Sequence, residues 1–268
     1  MQLLISVAGP ADARAALLGG ADVIDAKDPR HGALGPVTLH RLAAIRAAVG
    51  GARPLSAALG DAANAHAIAR TVAAAASLGL AFVKVGFAGV TSEARARRLA
   101  VAARRAATAV GTRLVLVAYA DWRRAPSLAP AQILAVAAGV GAAGVLLDTA
   151  NKGAPLFALE SPTAVAGWIA AAHAVGLFAA LAGGLCGPAF ACARAIRADL
   201  VGVRGAACVG GRTGRVSRAR VAALRALAGA PPAPRVLAGR GVFPQRDVEL
   251  PEIVGRDDEV LHAARERA

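Results

Sequence analysis

The feature that most constrains this chain is a strict alternation of two kinds of segment. Short apolar runs fall at 2–7 (QLLISV), 22–27 (DVIDAK), 54–59 (PLSAAL), 80–85 (LAFVKV), 113–119 (RLVLVAY), 143–148 (AGVLLD), 177–182 (LFAALA) and 199–204 (DLVGVR). Each is followed by a segment of helical character, at 10–19, 38–49, 61–78, 91–109, 129–139, 162–175, 187–197 and 216–229. Strand–helix alternation implies parallel pairing through right-handed crossovers. Eight such units imply a sheet closed on itself, so the expected fold class is α/β, a single (β/α)8 TIM barrel over residues 1–230. An open doubly wound sheet is the alternative, weakened because no G-x-G-x-x-G follows the first strand. Helix starts are expected at "TSEA", with Thr91 as N-cap, and at "SPT", with Pro162 in the first turn. Residues 231–268 are rich in Pro, Gly and charge and lie past the eighth unit. They are expected to form a short C-terminal extension that docks on the barrel or on a neighbouring subunit.

The chain has 31 Lys+Arg residues, and only Lys27, Lys84 and Lys152 are lysines. In a barrel of this kind the chemistry gathers at the C-terminal ends of the strands. Lys27 ends the second strand, Lys84 lies near the end of the fourth and Lys152 follows the sixth. Asp25 shares a strand face with Lys27 by period-2 alternation. Asp148 closes the sixth strand in "VLLDTANKG". Strands of like parity contribute inward residues to shared layers, so the three lysines are expected to converge on one mouth. A lysine amine sheds its proton when desolvated or set beside another cation, and then attacks carbonyls; arginine stays charged. Asp25 or Asp148 would move protons. The plainer reading makes the lysines anion ligands.

A second constellation is glycine. "LAGGL" carries Gly183 and Gly184 after the seventh strand, and "VGVRGAACVGGRTG" carries Gly202, Arg204 and Gly205 around the eighth. Amides in these loops commonly hold phosphate in such barrels, and Arg204 is expected to add a guanidinium fork. Tight turns alone would also call for the glycines.

Composition narrows the rest. A net charge of +14 invites a nucleic-acid reading, but the arginines form no dense tract and only nine aromatic residues are available for stacking. No nucleic-acid partner is expected; a positive field would instead steer anionic small molecules inward. No apolar run is long enough to span a membrane, and "MQLLISV" reads as a strand rather than a signal peptide. Three sparse cysteines point to buried thiols in a reducing, cytoplasmic setting. His31, His40, His66, His173 and His262 lack metal-ligand spacing, so no metal and no cofactor is expected. His31, Tyr119 and Asp121 are further residues expected near the mouth. Ala-rich outer helices favour a homo-oligomer.

The stretches "LLISV", "GGADVIDAKDPRHGALG", "FVKVG", "VLLDTANKG", "AGGL" and "VGVRGAAC" together resemble the 4-(hydroxymethyl)-2-furancarboxaldehyde-phosphate synthases, also called (5-formylfuran-3-yl)methyl phosphate synthases, of methanofuran biosynthesis. The resemblance spans residues 1–215. It implies a metal-independent, aldolase-like barrel that condenses two molecules of glyceraldehyde 3-phosphate to a phosphorylated furan aldehyde, losing one phosphate and two waters. It further implies that Lys27 is the Schiff-base lysine with Asp25 beside it, and that Lys84, Asp148 and Lys152 are the other catalytic positions. Another class I sugar-phosphate aldolase, or a barrel that binds a phosphate ligand without covalent chemistry, would share most of these features.

Overall fold

The computed structural model describes residues 1–229. Eight parallel strands form a closed barrel in chain order: β1 Gln2–Val7, β2 Val23–Ala26, β3 Leu55–Asp61, β4 Phe82–Gly86, β5 Arg113–Tyr119, β6 Gly144–Asp148, β7 Phe178–Leu181 and β8 Leu200–Val203. The ring closes where Gln2–Ile5 of β1 pair with Leu200–Val203 of β8. Around it run α1 Pro10–Leu18, α2 Leu39–Val49, α3 Ala65–Ala76, α4 Glu93–Thr108, α5 Pro130–Gly139, a single turn α6 Leu156–Leu159, α7 Pro162–Ala174, α8 Pro188–Ala195 and α9 Arg218–Ala228. The TIM barrel is therefore as the alternation predicts. The 231–268 extension lies outside the described residues. Among the described residues no helix is long and apolar enough to cross a membrane.

Three features have no counterpart in the expected order: α6, a 3-10 turn at Gly205–Ala207, and a hairpin of β9 Cys208–Val209 with β10 Arg215–Val216. The cap of α4 also differs. Ser92, not Thr91, accepts the first-turn N–H, from Arg95 at 3.4 Å. At α7 the expected start holds, with Ser161 accepting from Ala164 N ahead of Pro162.

Strand alternation sorts the core into two layers. One set of strand residues, such as Ile5, Ile24, Val83, Leu116 and Leu147, packs outward against the helices. Inward residues start apolar and turn polar toward the C-terminal end: Val23, Asp25 and then Lys27 from β2; Phe82, then Lys84, from β4; Leu146, then Asp148, from β6. The lower interior is filled by Phe82 and Phe178, whose rings meet edge to face at 6.0 Å. Gly144 makes room for that pair, since a Cβ there would lie 2.6 Å from the Phe178 ring. Burying a side chain of this size contributes roughly 2–3 kcal/mol. The floor is thus solid, and the polar groups are left only one end at which to meet a ligand.

Candidate active site

Asp25 is fully buried on β2. Its Oδ2 receives Lys84 Nζ at 2.7 Å and Ser6 Oγ at 3.0 Å, and its Oδ1 receives Ser56 Oγ at 2.8 Å. Ser6 and Ser56 are the register partners of Asp25 on β1 and β3, so the three strands build one acceptor site. A buried ion pair of this kind is tolerable because hydroxyls satisfy the remaining lone pairs.

On the opposite side Asp148 ends β6. Its Oδ1 receives Thr149 N at 2.7 Å and Lys152 Nζ at 2.8 Å. Lys152 also donates to the Thr149 carbonyl. Among the described residues Asp148 Oδ2 has no hydrogen-bond partner, and the residue lines the cavity. Burial by itself lifts the Asp148 carboxyl, but Lys152, Lys27 and the Thr149 amide outweigh it, and the group titrates below the ordinary aspartate range. The loop that carries Lys152 is held by Asp121, which accepts from Ala150 N, Asn151 N and Asn151 Nδ2 at 2.7–2.9 Å. That loop also explains the glycines after β7. Gly183 has φ +94°, and a Cβ on it would lie 2.8 Å from Thr149 Cγ2.

Lys27 stands between these two pairs. β2 ends one residue before it, yet its amide still donates to Val7 O at 2.9 Å, which fixes its place on the rim. It is 8% exposed, and among the described residues its Nζ has neither a hydrogen bond nor an ion pair. Desolvation lowers its pKa to about 8; Lys84 and Lys152 push the same way, while Asp148 and Asp25 oppose them. Lys84 and Lys152 each have a carboxylate within 2.8 Å. One lysine of the three is therefore free, desolvated and poised to lose its proton.

Lys27, Asp148 and Lys152 line a cavity of about 510 Å³ together with Gly183, Gly184, Gly202, Arg204, Gly205 and Arg212. Lys84 lies beneath it, in a narrow pocket shared with Lys27, Asp148 and Ser6. The amides of Gly183 and Gly184 have no acceptor among the described residues. The Arg204 guanidinium is spent on the protein, donating to Ser6 O, Asp12 Oδ2, Arg212 O and Gly214 O at 2.7–3.0 Å. It ties the hairpin to β1 instead of presenting a fork to the cavity. Arg212, which the sequence pattern did not single out, lines the cavity and donates to the carbonyls of Pro29 and Gly32. Among the other expected neighbours, His31 is exposed and lies 3.3 Å from Asp28. Tyr119 is fully buried and donates to Asp61 at 2.7 Å. Cysteine burial holds only for Cys208; Cys186 is exposed and lines the cavity. Among the described residues no three His, Cys, Asp or Glu side chains converge as a metal site would need.

The family described as 4-HFC-P synthase matches residues 3–225. The (5-formylfuran-3-yl)methyl phosphate synthase of Methanocaldococcus jannaschii is 35% identical over 233 residues, covering 85% of this chain and 99% of that protein. That of Methanopyrus kandleri is 37% identical over 218 residues, covering 80% and 92%. Among solved structures, an orotidine 5'-phosphate decarboxylase from Pyrococcus horikoshii superposes with a TM-score of 0.59 at 14% identity, over 85% of this chain and all of that one. The last comparison concerns the fold alone.

Proposed function

We propose that this chain, which belongs to the 4-HFC-P synthase family, condenses two molecules of glyceraldehyde 3-phosphate through a Schiff base on Lys27. The product is 4-(hydroxymethyl)-2-furancarboxaldehyde phosphate, as in methanofuran biosynthesis. The observation that carries this reading is that Lys27 alone among the three lysines has no carboxylate on its amine. With a pKa of about 8, roughly one-tenth of it is neutral at pH 7, some 300 times the fraction of an ordinary lysine. That fraction is the nucleophile.

The amine adds to the aldehyde of the first triose phosphate and expels water to give an imine. The imine draws electrons from the adjacent carbon, whose proton passes to the unengaged oxygen of Asp148. The electron pair then expels the phosphate from the third carbon. The carbon freed by that loss forms the new C–C bond to the carbonyl carbon of the second triose phosphate. The 2,4-substitution of the product requires this partner to react as its ketose isomer, so a second proton transfer precedes the bond; the Lys84–Asp25 pair is the group for it. The free hydroxyl of the ketose then closes the ring onto the carbonyl next to the imine. The cyclic hemiketal and the tertiary alcohol each lose water to make the ring aromatic, and hydrolysis of the imine returns the water lost when it formed. Two triose phosphates thus become one furan phosphate, one phosphate and two waters. Lys152 fixes Asp148 and meets the second substrate. The retained phosphate lies on the free amides of Gly183 and Gly184, beside Gly202 and Gly205, with Arg212 in place of Arg204 as the nearby cation.

Borohydride trapping with glyceraldehyde 3-phosphate, read by intact mass and peptide mapping, tests the reading. A stable adduct on Lys27, with phosphate release and furan absorbance in its absence, is the expected result. An adduct on Lys84 or Lys152 would overturn the assignment. Activity retained in Lys27→Arg would return the lysines to the role of anion ligands.

A further inference from the structure

A second cavity, of about 380 Å³, opens beside the mouth on the same end of the barrel. It lies between the β1–α1 turn, the start of the β2–α2 loop and the hairpin. Arg14 of α1, Arg30 of the loop and Arg41 of the first turn of α2 line it. Among the described residues none of these three guanidiniums has a hydrogen-bond or ion-pair partner. Some arginines elsewhere are committed: Arg46, Arg104, Arg194 and Arg220 each donate to a backbone carbonyl.

The two carboxylates in this cavity do not cancel the charge. Asp12 is taken up by Arg204, Ala8 N and Val216 N. Asp28 accepts from Arg30 N, lies against His31 and is drawn electrostatically toward Arg30 without an ion-pair contact, so it offsets only part of the charge of the three arginines. The β1–α1 turn adds room, because nothing lies within 4 Å of where a Gly9 Cβ would be. The cavity also adjoins the catalytic one. Thr213 lines it, Arg212 lines the catalytic cavity, and the Arg212 contact with Pro29 is the partition between them.

We propose that this arginine-lined cavity is a second phosphate-binding site, which takes the phosphate group of a small anion entering or leaving the mouth. Three unpaired planar donors suit the three terminal oxygens of a phosphate. The anion is a triose phosphate before reaction or the orthophosphate expelled by it, and for that choice the inference rests on the synthase reading; the binding itself does not. The reaction brings in two phosphates and retains one, so a transient phosphate needs a place outside the glycine amides.

The test is equilibrium binding of inorganic phosphate, followed by 31P NMR at fixed ionic strength, on the full chain. The native protein is expected to bind two phosphates per chain. The variant Arg14→Gln/Arg30→Gln/Arg41→Gln is expected to bind one. A control that removes equal charge from exposed, unpartnered positions on α3 and α4, Arg70→Gln/Arg98→Gln/Arg105→Gln, is expected to keep both. Equal loss in the two triple variants would mean diffuse attraction to a basic surface, and no loss in either would mean no site; each result overturns the proposal. Loss of the glycine-loop phosphate in Gly184→Ala, with the arginine site intact, separates this outcome from a failure of the synthase reading. Steady-state kinetics then identify the source. A KM for triose phosphate raised about tenfold marks capture of substrate, and inhibition by added phosphate weakened about tenfold marks release of product.

Discussion

Replacing Lys27 with methionine removes the one buried amine that lacks a counter-ion, so it should abolish activity and stabilise the fold. The magnitude follows from the titration of the group. A folded-state pKa of about 8 against 10.5 for a free lysine corresponds to about 3 kcal/mol of penalty for holding the protonated amine in the folded site. Lys27 is almost wholly buried, so little of this is lost to solvent screening. The sign is set by proton uptake. Between pH 8 and 10.5 the unfolded chain keeps a proton on this residue that the folded chain has released, so native stability rises with pH across that window. Below pH 8 the full penalty applies, and above 10.5 it is gone. Lys27→Met should therefore exceed the native protein by up to ~3 kcal/mol at pH 7 and by under ~1 kcal/mol at pH 10. For a barrel of this size that is a rise in Tm of roughly 6–12 °C at pH 7. Urea unfolding at both pH values, with Lys27→Arg as a permanently charged comparison, measures it. A methionine variant less stable than native at pH 7, or a gain that is the same at pH 10, would refute the claim that Lys27 is held against its ordinary charge state.

The same titration governs rate: kcat/KM should rise close to tenfold per pH unit below about 8 and level off above it, read from initial rates of phosphate release. Lys84→Met leaves Asp25 buried with only Ser6 and Ser56 as donors, and should cost roughly 3–5 kcal/mol in urea unfolding; Asp25→Asn/Lys84→Met should recover more than half of that. Asp121→Ala frees three donors of the Lys152 loop and should lower kcat/KM by about tenfold or more with a stability loss of about 1–3 kcal/mol, whereas Asp121→Asn should restore part of the rate. Gly86→Ala should destabilise by about 1–3 kcal/mol in thermal melts, because its Cβ would lie 2.3 Å from Asp61 Oδ1 and 2.5 Å from the Tyr119 hydroxyl.

The barrel could be read from the chain because each strand is a short, mainly apolar run and the segments between them are mostly Ala-rich and helical, so the two kinds of segment alternate eight times. The site could be read in part because lysine is rare here and period-2 alternation carries Asp25 and Lys27 to the same face. What pairs with what could not. Ser6 and Ser56 are single polar residues inside apolar strands, and only the register of β1, β2 and β3 joins them to Asp25. The hairpin left no trace because two-residue strands have no period. Arg204 and Arg212 lie eight positions apart in one glycine-rich stretch, and nothing in their spacing tells which is tied to carbonyls of the protein and which lines the cavity. Asp121 sits past the end of β5, and its work is done on a loop 30 residues later in the chain.

The closure of the ring has a consequence for how the protein is made. β1 emerges first and pairs with β8, nearly 200 residues later, so its outer edge has no partner until most of the chain has been synthesised. Desolvation of Lys27 waits on the same event, since the cavity is walled by residues 182–206 and by Arg212. Until then the amine is hydrated like that of an exposed lysine, and the fraction neutral at pH 7 is far below the one-tenth of the folded state. On the Schiff-base reading, the nascent chain reacts little with aldehydes, and the last strand to arrive is the one that completes the desolvation of the first lysine.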